Sequence, residues 1–275
     1  MNAIKIITVW LLLSVTLQAQ QPDSTIRRVN KYQLGFGLGY QSRQLMDEQK
    51  SALVYQSKEF QGKIFFNKEK ERSLFLSALD FSLGSFNAKH NPGRYLYSVT
   101  YDIDGNETID SMPVTSGILA GKFKITYLRS ISNQSFRWMA GGTIQDQLIY
   151  PENYIGLLNS LSLNAAVLVS KKIQENHTIS AKLEIPVVAI NTRLPWHNTA
   201  TDPVKSELST FFKTGSRFVT LDKFQSFQLN LNYSCRLSSR WSIGGDYEFT
   251  WLRVPYYQPM KSFVNRINVF TNYNF

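Results

Sequence analysis

The feature that most constrains this chain is an alternation of apolar and polar residues with a period of two, repeated along most of its length. It is clearest over 227–237, where every second residue is apolar and the residues between are Gln, Asn, Ser or Arg. A β-strand places successive side chains on opposite faces, whereas a helix would spread this pattern around its circumference. The segment 241–251 repeats the pattern after a connection of hairpin length, 238–240. The chain is therefore predicted to be all-β and antiparallel.

Ten alternating segments can be recognised, and the connections between them largely alternate in length. The short connections lie at 67–72, 132–135, 174–177 and 238–240, and the intervening ones lie near 47–51, 88–116, 150–158, 191–222 and 255–262. Only 47–51 breaks the rule that the second set is longer than the first. An even strand number with short turns at one end and long loops at the other is typical of an up-and-down transmembrane β-barrel. Such a barrel is closed, so no unpaired strand edge meets lipid.

The last segment resembles the C-terminal strand of bacterial outer-membrane β-barrels, since it alternates from Ile267 and ends on Tyr273 and Phe275. Aromatic residues such as Tyr32 and Trp241 also gather at strand ends, where an interfacial girdle is expected. The chain is thus similar to small, roughly ten-stranded, porin-like outer-membrane barrels, without the motif of a particular subfamily. The resemblance implies handling by the barrel-assembly machinery and contact with outer-membrane lipid and lipopolysaccharide. A secreted β-sandwich or soluble barrel is the alternative fold.

The first residues have the organisation of a secretory signal peptide. Lys5 supplies the positive start, 6–17 the apolar run and Ala19 a small residue at the expected cleavage site. We expect a signal peptide over 1–19, a polar periplasmic lead-in over 20–30 and the barrel domain over 31–275. An uncleaved anchor is the alternative, for which the apolar run is short. Because Cys235 is the only cysteine, an internal disulfide and a lipidated N-terminal cysteine are both excluded.

The polar face of the strands carries charges of both signs and is predicted to line the lumen. Barrels of about 8 strands are filled by their side chains, whereas those of about 16–18 leave an aqueous channel. With ten strands, we expect salt bridges to plug the lumen, although inner-face glycines such as Gly35 and Gly244 leave room for a narrow water path. The predicted lumen network comprises Glu59, Lys63, Asp80, Lys122, Lys124, Arg137, Lys182, Glu184, Arg236, Asp246, Glu248 and Arg266.

The long loops carry two further structural signals. Asp202 and Pro203 are typical of a helix start, and apolar residues at helical spacing predict a short amphipathic helix near 203–213. We interpret it as a lid on the barrel mouth, with a gate or a partner-docking surface as the alternative. Segments 95–101 and 108–114 flank an Asp-Gly-Asn turn and predict a hairpin that extends the wall above the membrane. Residues 102–107 also resemble the start of a calcium loop, but Pro113 stands where the bidentate Glu is required.

The external loops are rich in aromatic residues that suit contacts with sugars, proteins or the membrane interface. The predicted external contacts are Tyr95, Tyr97, Tyr150, Tyr154, Trp196, His197, Phe211, Phe212, Tyr256 and Tyr257.

The sequence contains no catalytic, metal-binding or cofactor motif. His90 and His197 fall in external loops and His177 in a predicted periplasmic turn, and nothing in their spacing selects an acid–base partner. The formal net charge is +10, but the basic residues form no helix or stripe suited to nucleic acid. We therefore expect a non-enzymatic surface-binding, recognition or envelope-structural protein of the outer membrane, with an envelope protein or small ligand as partner. The alternatives are a narrow transport channel gated by the 191–222 loop and a lipid-modifying or proteolytic enzyme.

Overall fold

The computed structural model describes residues 31–49, 51–90, 93, 95–101, 104–113, 115–133, 135–152, 156–193 and 207–275. The predicted signal peptide and lead-in lie outside these residues. Within the described ranges, no helix combines the length and the hydropathy needed to cross a bilayer.

Ten long antiparallel strands close into a barrel, which confirms the predicted fold class and strand number. The sheet order is β10-β9-β11-β12-β13-β1-β2-β3-β6-β7-β8, and pairing of β8 with β9 completes the ring. The elements are β1 (Lys31–Asp47), β2 (Ser51–Glu69), β3 (Ser73–Ala88), β4 (Tyr95–Tyr101), β5 (Glu107–Pro113), β6 (Thr115–Asn133), β7 (Arg137–Pro151), β8 (Leu158–Gln174), β9 (His177–Thr192), α1 (Glu207–Gly215), β10 (Ser216–Thr220), β11 (Gln225–Arg236), β12 (Trp241–Val254) and β13 (Met260–Asn274).

At one position in the ring, next to β9, the wall consists of two shorter strands, β10 and β11. β10 pairs with the end of β9, where Ser216 lies opposite Thr192, and β11 pairs with its beginning, where Gln228 lies opposite Glu184. β10 and β11 together therefore act as one interrupted wall strand. The remaining pair, β4 and β5, forms a separate hairpin from Tyr95 opposite Pro113 to Tyr101 opposite Glu107, close to the predicted segments.

The connections divide between two ends of the barrel. The short-turn end holds the links 70–72, 134–136, 175–176 and 237–240, and the long-loop end holds 48–50, 89–114, 152–157, 193–224 and 255–259. The helix in the longest loop spans Glu207–Gly215 rather than 203–213, and residues 203–206 lie outside the described chain. The helix ends at Gly215, and β10 follows at Ser216, where pairing with β9 begins.

The outer face of the wall is a continuous apolar surface, which we call the outer belt. Its side chains are 43–63% exposed and include Leu34, Phe36, Leu38, Phe60, Ile64, Leu79, Leu83, Phe123, Ile144, Leu161, Leu163, Leu231, Ile243, Ile267 and Val269. Soluble monomers rarely expose an apolar patch larger than a few hundred Å². At the short-turn end, aromatic pairs border the belt: Tyr32 stacks on Phe275 at 5.9 Å between ring centroids, and Trp241 meets Tyr273 at 5.2 Å.

Two inner-face glycines make space for aromatic rings rather than for water. A Cβ at Gly35 would lie 2.2 Å from Cζ of Phe65, and a Cβ at Gly244 would lie 2.4 Å from Cζ of Phe270. The two phenylalanines meet edge to face at 5.5 Å between centroids inside the barrel. Gly35 and Gly244 therefore do not open a water path, because Phe65 and Phe270 cover them.

Candidate functional site

The barrel interior is built in three layers along its axis. An apolar plug lies at the long-loop end, a charged layer lies in the middle, and a cavity opens at the short-turn end. Most members of each layer are inward-facing residues of the ten wall strands, so the strand order largely decides which side chains meet.

The charged layer is centred on Glu248 and Asp80. Glu248 forms an ion pair with Lys122 and accepts a hydrogen bond from Nη2 of Arg266 at 2.8 Å. Nη1 of Arg266 also lies 3.2 Å from Asp80. β6, which carries Lys122, and β12, which carries Glu248, are five positions apart in the ring of ten strands. The Lys122–Glu248 ion pair therefore joins opposite walls and spans the lumen.

Lys124 continues the charged layer toward β9. Its Nζ lies 2.8 Å from Glu184 and 3.6 Å from Glu248, so one ammonium joins two carboxylates. Glu184 also forms an ion pair with Lys182 at 3.0 Å and accepts a hydrogen bond from the Thr143 hydroxyl at 2.7 Å. Pairing of this kind is required, because an unpaired charge is very costly to bury.

Two further carboxylates extend the same layer. Glu59 accepts hydrogen bonds from Nε of Arg43 at 2.9 Å, from Gln41 at 2.6 Å and from Ser57 and Ser82, each at 2.5 Å. Asp246 accepts hydrogen bonds from Nζ of Lys63 at 2.9 Å and from Nδ2 of Asn268 at 2.8 Å. Sequence reasoning missed Arg43 and Gln41 because the clear alternation of β1 stops at Gln41 and its inner-face residues up to that point are uncharged.

Two residues assigned to the lumen network lie at the short-turn end instead. Arg137 pairs with Glu69 and donates to the carbonyl oxygens of Lys70 and Glu71 at 3.1 and 3.0 Å. Arg236 is exposed at the rim of the cavity. The other ten predicted residues lie in the charged layer with Arg43, which brings together six cations and five carboxylates.

The apolar plug fills the lumen beyond the charged layer and was not anticipated from the sequence. Its members are buried inside the wall near the long-loop end: Leu45, Tyr55, Phe86, Ala88, Ile118, Ile149, Leu158, Ala189, Val219, Phe224, Leu252, Val254 and Met260. Val219 and Phe224 come from the 193–224 connection, which therefore contributes to the seal. Close apolar packing of this kind leaves few voids larger than a water molecule.

A buried ion pair ties the long loops together, and we call it the loop clamp. Arg193 pairs with Asp47, and its Nη1 donates to the carbonyl oxygens of Tyr256 at 3.2 Å and Gln258 at 2.6 Å. Asp47 also accepts the backbone N–H of Gly156 at 3.0 Å. Both charged side chains are at most 3% exposed. The clamp thus joins the beginnings or ends of four long-loop connections.

The external aromatic residues divide into exposed and packed groups. Tyr95, Tyr97 and Tyr101 stand on one face of the β4–β5 hairpin and are 50%, 69% and 69% exposed. Tyr150 and Phe212 are also exposed, whereas Phe211 is buried. Tyr154, Trp196 and His197 lie outside the described residues.

Tyr256 and Tyr257 pack at the mouth of the barrel. Their rings meet at 5.1 Å between centroids, and Arg217 lies 4.4 Å from the centroid of Tyr257. Tyr256 packs against the apolar plug, and this burial raises the pKa of its phenol to about 12.

Of the three histidines, His90 and His177 lie at opposite ends of the barrel, and His197 lies outside the described residues. His90 is exposed at the long-loop end, while Nδ1 of His177 lies 2.7 Å from the Tyr233 hydroxyl at the short-turn end. Within the described parts of the chain, no three His, Cys, Asp or Glu side chains form a group that could hold a metal ion. Asp102 of the calcium-like segment lies outside them.

The third layer is a cavity of about 740 Å³ at the short-turn end. Ser135, Asn176 and Ser239, from three of the short turns, lie around its opening. Its inner end is formed by residues of the charged layer, including Lys63 and Lys182. Among the described residues, the cavity therefore opens at the short-turn end, and the apolar plug fills the interior at the long-loop end.

No family model matches this chain, and a search of curated proteins finds no match. Among solved structures, it is similar to the outer membrane protease OmpT from Escherichia coli, at 10% identity and a TM-score of 0.45, covering 93% of this chain and 99% of that one. It is also similar to the transport unit of the autotransporter AIDA-I from Escherichia coli, at 11% identity and a TM-score of 0.41, covering 96% and 97%. The translocator domain of the autotransporter NalP from Neisseria meningitidis aligns at 8% identity and a TM-score of 0.40, covering 100% and 97%. The similarity concerns the barrel architecture alone.

Proposed function

We propose that this chain is an integral outer-membrane β-barrel with a closed lumen, which acts as a non-enzymatic recognition protein through its external hairpin. The outer belt supports membrane insertion, because its contiguous exposed apolar side chains match a lipid environment. The signal-peptide pattern of 1–19 supports export. By the usual orientation of such barrels, the short-turn end faces the periplasm and the long-loop end faces outward.

The observation that carries the proposal is the double closure of the lumen. The Lys122–Glu248 ion pair joins opposite walls, and the side chains of the apolar plug pack together in the interior beyond it. The gated-channel alternative requires that movement of the 193–224 connection open a path. Leu45, Tyr55 and Ile149 belong to the wall strands, so displacing the connection would leave most of the plug in place.

Ion conductance in planar bilayers tests the closure. We expect no steady conductance from the wild-type protein or from a variant in which 195–215 is replaced by a short Gly-Ser linker. Insertion is verified with Tyr97→Cys in a Cys235→Ser background, labelled by an impermeant maleimide. Steady conductance of the wild type would contradict the proposal, and an increase after loop replacement would establish a gated channel.

The recognition surface proposed is the exposed face of the hairpin, formed by Tyr95, Tyr97, Val99, Tyr101 and Ile109. Tyrosine supplies large contact area together with a hydroxyl, and it is enriched at binding surfaces. A photo-crosslinking residue at position 97 should yield discrete adducts in intact cells. The same residue at Thr100, on the opposite face of the hairpin, serves as the control. Equal adducts at both positions, or none, would contradict recognition through this face.

A further inference from the structure

The cavity at the short-turn end has the size of a small-molecule site and walls of two kinds. Its volume of about 740 Å³ falls within the range of about 300–1,000 Å³ typical of such sites. Leu74, Met139 and Leu168, from β3, β7 and β8, form an apolar arc, in which Met139 and Leu168 belong to one buried cluster and Leu74 packs against it. Ser180, Asn230 and Asn232, from β9 and β11, form an adjoining arc of hydroxyl and amide groups. A ligand that fits both arcs must itself have an apolar side and a polar side.

The charge of the cavity is predominantly positive. Eight of the residues lining it are Lys or Arg, and four are Asp or Glu. Of these four carboxylates, Asp80 and Glu248 already form ion pairs with Arg266, and Glu69 forms one with Arg137. Lys31, Lys172 and Arg236 add exposed positive charge at the rim. A concave site of one sign between low-dielectric walls concentrates ions of the opposite sign.

Two lysines at the inner end of the cavity are placed to receive an anion. Lys63 contacts Asp246 at 2.9 Å and Lys182 contacts Glu184 at 3.0 Å, with side chains 15% and 13% exposed. An ammonium group has three N–H donors. With one carboxylate contact each among the described residues, both lysines retain donors for a ligand.

We propose that this cavity binds a small organic anion with an apolar side, such as an aryl carboxylate, that enters from the short-turn end. The carboxylate is held by Lys182 and Lys63, and the ring lies on the apolar arc at Leu74 and Leu168. A cation would be repelled by the rim, and a wholly apolar chain would leave the hydroxyl and amide arc without partners. The external loops play no part in this site.

The test uses 4-fluorophenylacetate as the probe, with ¹⁹F NMR of the mature protein in lipid nanodiscs. The neutral 4-fluorophenylacetamide and the cationic 4-fluorophenethylamine are matched in shape and serve as ligand controls, and empty nanodiscs report partition into lipid. We expect saturable binding of the anion, at least about tenfold tighter than that of the amide, since hydrogen bonds to charged groups are the stronger class. Lys182→Gln should weaken binding of the anion by about tenfold, whereas Lys261→Gln at the long-loop end should leave it unchanged.

A cavity-filling variant, Ser180→Trp, keeps the test decisive if Lys182→Gln disturbs folding, because it should abolish binding without removing a charge. Equal affinity for anion and amide, or undiminished binding by both variants, would overturn the proposal. Binding that appears only after residues 20–29 are removed would overturn it too, since the occupant would then be the chain's own lead-in. Because the readout is binding to the purified barrel, failure here leaves the closed-lumen proposal standing.

Discussion

Glu184 illustrates the physical requirement on each buried carboxylate of the charged layer. Its side chain is 2% exposed. It forms ion pairs with Lys124 and Lys182 and accepts a hydrogen bond from the Thr143 hydroxyl, so three donors replace the water that burial removed. Lys124 has a second carboxylate at 3.6 Å in Glu248, but Glu184 is the one carboxylate that Lys182 contacts within the described chain. Removing the charge of Glu184 therefore takes the carboxylate partner from Lys182 and one of two carboxylate partners from Lys124.

We expect Glu184→Gln to lower the free energy of unfolding by about 3–5 kcal/mol, the usual cost of breaking a buried ion pair. Urea titration of the vesicle-reconstituted protein, followed by tryptophan fluorescence, measures the change. Glu175→Gln at the exposed short-turn end is the matched control and should change the free energy of unfolding by no more than about 0.5 kcal/mol. A loss below about 1 kcal/mol for Glu184→Gln would contradict this prediction, because water in the cavity would then replace the carboxylate as the partner of Lys182.

Tyr256 gives a prediction for pH at the external mouth. Burial against the apolar plug raises the pKa of its phenol to about 12, so its proton is held more tightly in the folded protein. Stability from this group is complete below pH 10 and is lost as the pH rises from 10 to about 12. Absorbance of phenolate at alkaline pH should show a late titration step that Tyr256→Phe removes. Tyr97→Phe should leave that step in place. Loss of the late step in the Tyr97→Phe variant would contradict its assignment to Tyr256.

At the scale of single elements, β12 shows what the sequence could predict and what it could not. Alternation over 241–251 correctly placed Asp246 and Glu248 on the inner face. The same face continues to Leu252 and Val254, where it turns apolar, because the wall there lines the apolar plug. Alternation identifies the two faces of a strand. It does not show at which height along the barrel axis the inner face changes from polar to apolar.

The pairing of side chains across the lumen was also beyond sequence reasoning. Asp47 and Arg193 are 146 residues apart, and Lys122 and Glu248 are 126 apart, so no local pattern connects them. The strand number, the two ends and most members of the charged layer follow from period and connection length. Which cation meets which carboxylate depends on the shear and closure of the ring, and these emerge only in the folded barrel.

The loop clamp predicts a local change in protection at the long-loop end. Asp47→Ala removes the acceptor of the Gly156 N–H and the partner of Arg193. Amide hydrogen exchange at Gly156 should therefore become at least about tenfold faster, since a buried hydrogen bond is lost. Exchange in β13 away from the clamp, for example at Val269, should stay the same. Arg253→Gln on the exposed outer wall is the control, and equal acceleration by both variants would argue against a clamp.

At the scale of the whole molecule, the three layers of described residues give the barrel two different ends. The apolar plug fills the interior at the long-loop end and the charged layer crosses its middle, while the cavity opens to solvent at the short turns. A closed ring of ten strands also lacks edges, so the wall is stable in lipid without covering elements. Access from the two sides of a membrane should therefore differ completely for residues at the two ends.

Cysteine accessibility in liposomes tests this asymmetry whichever way the barrel inserts into the bilayer. In a Cys235→Ser background, Ser180→Cys in the cavity and Tyr97→Cys on the hairpin should react with a charged methanethiosulfonate from opposite sides of the bilayer. An open channel would instead allow both positions to react from either side. Because the cavity lining is cationic, the anionic reagent should modify Ser180→Cys faster than the cationic reagent does, and salt should reduce the difference. At Tyr97→Cys, outside the lumen, the ratio of the two rates should be smaller, and equal ratios at both positions would show that the cavity does not concentrate anions.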